Sequence, residues 1–126
     1  MIHGRHYTRA EANELLPTVG RLLTDLQAAR NKLTDAEAHA LLAGAAPGNG
    51  GGGAGRDVGE AFLDVRRMLA QLEELEIVVR DIDRGLIDFP AILEGREVYL
   101  CWELGEDEVA WWHDLEAGFR GRQSLD

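Results

Sequence analysis

The stretch LCWELGEDEVAWWHD, Leu100 to Asp114, holds the chain's one cysteine and all three tryptophans, and it closes on His113 and Asp114. A thiol and an imidazole within hydrogen-bond reach form a nucleophilic pair. Cysteine, histidine and carboxylate ligands converging at about 2.0–2.3 Å hold zinc. Either chemistry requires Cys101 and His113 to share a face, and along a strand successive side chains alternate. A four-residue loop, Gly105 to Glu108, sets Leu104 opposite Val109, Trp102 opposite Trp111 and Leu100 opposite His113. It gathers most of the apolar surface on one side, where burial contributes about 1.5–3 kcal/mol per large side chain. A three-residue loop would instead bring Cys101 and His113 to one face. The hydrophobic argument selects the four-residue loop and so separates them. Cys101 then reads as a small buried hydrophobe. With no C-x-x-C or H-x-x-x-H spacing either, no catalytic residue, metal or cofactor is expected.

A weaker candidate is a binding patch of Asp88, Glu106, Trp112, His113, Asp114 and Arg122 around the Trp-His-Asp segment. The plain alternative is that His113 is half-buried against a carboxylate or carbonyl and that Asp114 caps the next turn. Arg120 and Arg122 have plain partners in Asp81, Asp83 and Asp88, since a guanidinium fork suits a carboxylate. His3 and His6 lie in a segment expected to fray and read as neither ligand nor base.

The elements that must position these residues are legible in the periodicity. Thr8 and Glu11 form a capping box at the start of a first helix. Ala12, Val19, Leu26, Leu33 and Ala40 fall on one heptad position, and Leu15, Leu22, Ala29 and Ala36 on the other. Pro17 predicts a break or kink, with the main helix over Pro17 to Ala43. A second helix is expected over Asp57 to Asp83, on the seam Val58, Ala61, Val65, Met68, Leu72, Leu75, Val79 and Ile82, ending at Gly85. The Gly-rich stretch 44–56 between them reads as a flexible connector in a single domain over 1–126. LIDFPAIL, EVYLCWEL and VAWWHD then read as three strands, with Glu94-Gly95 as a tight turn and Pro90 marking an edge. The expected fold is α+β: a long antiparallel helical hairpin with a heptad seam and a kink at Pro17. A C-terminal three-stranded antiparallel β-meander packs at its base, where Leu16 and Leu23 of helix one lie near Ile77 and Val78.

The formal charge of −10, from 23 acidic and 13 basic residues, argues against nucleic acid and anionic membranes, which recruit basic faces. A single cysteine and no apolar leader point to the cytoplasm.

YTRAEANELLP near the start and DIDRGLIDFPAILEGREVYLCWELGEDEVAWWHDLEAGFRGRQ towards the end resemble a family of small bacterial proteins catalogued as domain of unknown function 2203. The resemblance rests on three elements. These are D-x-x-x-G-L-[IV]-D-F-P (Asp81 to Pro90), L-C-W-x-x-G-E (Leu100 to Glu106) and W-H-D (Trp112 to Asp114). It implies a small cytoplasmic bacterial protein and carries over no activity. Two functions are left to weigh. One is a non-enzymatic interaction or oligomerisation module, self-associating as a homodimer or binding a protein partner, because Leu16, Leu23, Phe62 and Leu69 need covering. The other is a small-molecule- or metal-binding protein, possibly an enzyme, with its site around the Trp-His-Asp hairpin.

Overall fold

The computed structural model describes the backbone of residues 1–42 and 53–126 and the side chains of 1–35 and 58–126. Most of the Gly-rich connector, 44–52, lies outside the described residues. Two helices, α1 (Arg9–Leu42) and α2 (Gly53–Glu74), precede five strands: β1 (Val78–Asp81), β2 (Leu86–Leu93), β3 (Arg96–Glu103), β4 (Trp111–Asp114) and β5 (Gln123–Ser124). The strands form one antiparallel sheet in chain order, with β3 at its centre. Among the described residues no helix is long and apolar enough to cross a membrane.

The capping box forms as expected: Glu11 N–H donates to Thr8 Oγ1 and Thr8 N–H to Glu11 Oε1. α1 then runs through Pro17 without a break for 34 residues, against the expectation that the main helix begins there. Burial of Ala12 before the proline, and of Val19 and Leu23 after it, anchors both sides to the same core and outweighs the roughly 3 kcal/mol that an interior proline costs.

α2 ends at Glu74, not Asp83, because Glu76 takes a positive φ of 57° and turns the chain. Ile77 enters the core, and Val78 and Val79 start a strand. The expected seam through Val79 and Ile82 therefore does not continue as helix; β-branched residues in succession favour the pleated form. Gly85, at φ 65°, belongs to the β1–β2 turn instead of a helix end. With β5, this raises the expected three-stranded meander to five strands.

The sheet packs its Ile87, Phe89, Ala91, Val98, Leu100 and Trp102 face onto Ala12, Val19, Leu23 and Leu26 of α1 and Met68 and Leu72 of α2. Leu23 is thereby fully covered, while Phe62 and Leu69 of the same expected flank stay exposed. The Glu94-Gly95 turn forms, with both residues at positive φ. Pro90 lies on the half of β2 beyond the reach of β1, where its carbonyl accepts from Tyr7 N–H.

Candidate functional site: a buried Asp-Cys-His cluster

In β3 and β4 the partners are Leu100 with Trp112, Tyr99 with His113 and Cys101 with Trp111. This is one residue away from the register that apolar surface alone selects, and a one-residue slip exchanges the faces. Trp112 accordingly packs towards the helices, while Trp111 and His113 share the outer face with Cys101. The cause lies in residues 104–110, which are no tight turn. Val109 is fully buried from within this loop; its N–H donates to Asn13 Oδ1 and its carbonyl accepts from Arg9 Nε, both at 2.7 Å. Trp102 Nε1–H donates to the Glu106 carbonyl, and Glu106 Oε1 accepts from Glu103 N–H. α1 thus dictates the path of the loop, and the apolar gain comes from Val109 entering the core off the strand.

On the outer face Asp88 stands directly across from Cys101. The ligand atoms of Asp88, Cys101 and His113 all lie within 4.8 Å of one another, and all three residues are buried. His113 Nε2 is 2.9 Å from Asp88 Oδ1, and its Nδ1 is 2.7 Å from the Asp114 carbonyl. A carbonyl only accepts, so Nδ1 carries a proton and the ring presents Nε2 to the cluster. Asp88 Oδ2 accepts from Arg80 Nε at 2.8 Å. Arg80 sits where the β1–β2 register shifts between Val79 and Asp81, and such a bulge re-aims a side chain. Tyr99 closes one side, its ring 5.6 Å from that of His113 and 5.1 Å from the Arg80 guanidinium.

The cluster floors a cleft of about 210 Å³ whose other walls are Arg80, Leu86, Leu115, Glu116, Gly118 and Phe119. Two guanidinium groups lie against the Phe119 ring, Arg84 at 4.3 Å and Arg122 at 4.4 Å. Arg84 in turn pairs with Glu103 and Arg122 with Glu106, which fastens the segment over the sheet. Burial pushes the Cys101 thiol up to about 11, with the Asp88 charge adding to the effect and Arg122 opposing it. With the Arg122 charge outweighed by burial and by Asp88, this thiol is no nucleophile in the metal-free protein. His113 cannot serve it as a base either, since both ring nitrogens are engaged.

Of the expected patch, Asp88 and His113 come together, and Glu106 and Arg122 pair with each other at 3.3 Å, with Arg122 also acting on Cys101. Trp112 faces the helices, and the Asp114 carboxylate points to Arg96 at 3.3 Å, contributing only its carbonyl to His113. Arg122 does not pair with Asp81, Asp83 or Asp88; Arg30 bonds Asp83 and Arg80 bonds Asp88. The N-terminal segment is tied down instead of fraying. Glu97 accepts from Ile2 N–H, His3 N–H and the His6 ring, and the His3 ring bonds the Tyr99 hydroxyl. Arg80 falls within the helix expected over Asp57 to Asp83 and lies instead in β1, so the helical spacing carries no signal for its role. Cys101 was within reach of the three-residue alternative.

The chain belongs to the family described as an uncharacterized conserved protein, DUF2203, which matches residues 5–125. No curated protein and no solved structure matches it.

Proposed function

We propose that this is a metal-binding protein in which Asp88 Oδ1, Cys101 Sγ and His113 Nε2 hold one divalent transition ion, zinc by chemical preference. The observation that carries the reading is the convergence of three ligand types on one buried point. Each of them comes from a different one of the motifs D-F-P, L-C-W and W-H-D. Zinc bonds of about 2.0 Å to nitrogen or oxygen and 2.3 Å to sulfur place ligand atoms roughly 3–4 Å apart. Side-chain shifts of about an ångström close the cluster to that size. Mixed thiolate, imidazole and carboxylate donors suit zinc over magnesium or calcium. The surroundings supply the supporting bonds such ligands use: a carbonyl on the far nitrogen of His113 and a guanidinium on the far oxygen of Asp88. On binding, Cys101 would give up its thiol proton to solvent, and His113 would ligate through Nε2 while Nδ1–H stays on the Asp114 carbonyl.

The test is metal stoichiometry after equilibration with zinc and desalting. The full chain retains about one zinc per molecule, while Cys101→Ser and His113→Gln, checked for fold by circular dichroism, retain far less. Equal retention in all three removes the reading.

The scaffold is read as an antiparallel helical hairpin with a heptad seam bent at Pro17. Tyr7 Oη donating to the Leu75 carbonyl, which joins the entrance of α1 to the exit of α2, supports it. A free buried cysteine fits a reducing bacterial cytoplasm. A second reading, self-association or partner binding through α2, is favoured by Phe62 and Leu63, which remain 51% and 64% exposed. It requires a sedimentation coefficient that rises with concentration and falls back in Phe62→Asp.

A further inference from the structure

Building on the metal reading, we infer that the fourth coordination position is exchangeable and takes a small carboxylate from solution, bound in the cleft between the metal and Arg80.

Among the described residues the cluster offers three ligands, and a structural zinc site fills four positions with protein while an open one fills three. The missing direction is the cleft, because the cluster forms part of its lining. A divalent ion with the Asp88 carboxylate and a Cys101 thiolate is neutral. Against one negative charge on the exposed Glu116, Arg80, on the same lining and 41% exposed, sets one positive charge directly beside Asp88. Its Nε is committed to Asp88, and a guanidinium has further donors suited to a carboxylate. That charge selects an anion. The apolar walls Leu86, Leu115 and Phe119 select a short hydrocarbon tail on it. At about 210 Å³ the space is below that of sites for drug-sized ligands, roughly 300–1,000 Å³. Glu116 is the competitor for the position, since it lies on the lining and its carboxylate could ligate. It is exposed, however, and each of the three ligands is buried.

The experiment loads the full chain with cobalt(II) in place of zinc and reads its visible and near-ultraviolet bands. A Cys101-dependent thiolate band establishes the metal. Acetate and butyrate are then titrated. Both are expected to shift the visible bands with saturation, butyrate with about tenfold lower Kd because it buries two more methylene groups. Leu115→Ala is expected to erase most of that advantage while acetate still binds; Leu115 serves here because Phe119 fastens the covering segment. Glu116→Gln is expected to leave the unliganded spectrum unchanged. A thiolate band that ignores both acids overturns this inference alone, as does a Glu116→Gln spectrum altered before any acid is added. Absence of a Cys101-dependent band overturns the metal reading and this inference with it.

Discussion

His113 Nε2 and Asp88 Oδ1 lie 2.9 Å apart, both side chains 1% exposed, joined across the sheet from positions 25 residues apart in the chain. Arg80 completes the row on the other carboxylate oxygen. With the Arg80 bond kept, the loss of His113 leaves one buried carboxylate oxygen without a donor, which costs about 1–3 kcal/mol. His113→Ala should therefore lower the metal-free unfolding free energy by an amount in that range in urea titrations. Asp114→Ala retains the carbonyl that orients His113 and removes only an exposed pair with Arg96; it should cost less than about 1 kcal/mol. Equal losses would mean that the pair is not what holds this face.

Gly85 and Gly95 both take positive φ, 65° and 78°, but their surroundings differ. A Cβ on Gly85 would meet Leu104 Cβ at 2.5 Å, whereas one on Gly95 meets nothing within 4 Å. Gly95→Ala should cost about 1–2 kcal/mol, the conformational penalty alone. Gly85→Ala should cost clearly more, because Leu104 N–H also donates to the Gly85 carbonyl and the backbone cannot retreat without losing that bond. Thermal denaturation of the two variants side by side gives the comparison.

Glu97 fastens the N-terminal segment. Burial pushes its carboxyl up, but bonds from His6, Ile2 and His3 outweigh that and hold it at about 2, against an ordinary value of 4.5. A depressed carboxyl stabilises the folded form fully above the unfolded value and loses that contribution as pH falls through the folded one. Residues 1–6 should therefore remain docked above pH 4.5 and loosen progressively between about 4.5 and 2. Residue-resolved amide exchange at Ile2 and His3 reads this directly. Glu97→Gln should show fast exchange at those two amides already at neutral pH.

Cys101 is poised near 11 in the metal-free protein, so at pH 8 only about one thiol in a thousand is ionised, and the thiolate is the reactive form. Iodoacetamide should label the native metal-free chain at least a hundred times more slowly than the urea-unfolded chain. Labelling at comparable rates would show that the outer face opens readily.

The two helices, the Thr8–Glu11 capping box and the Glu94-Gly95 turn were legible because each rests on local chemistry: a period, a cap, a glycine. β1 was hidden because Leu75, Val79 and Ile82 continue a helical spacing by coincidence, and only the run Ile77-Val78-Val79 argues for a strand. The site was misread at one step. Apolar bookkeeping across a hairpin assumes that the loop belongs to the strands, while residues 104–110 answer to Asn13 and Arg9 on α1. That long-range tie moves the register by one and puts Cys101 beside His113. Arg80 reached Asp88 through a bulge that no local pattern announces.

The central claim, a metal held by one thiolate, one imidazole and one carboxylate, is tested most directly by X-ray absorption at the zinc edge on zinc-loaded full-length protein. The account predicts one sulfur scatterer at about 2.3 Å and two or three nitrogen or oxygen scatterers at about 2.0 Å, with the sulfur shell lost in Cys101→Ser. A shell of nitrogen and oxygen alone in the unsubstituted protein would contradict it.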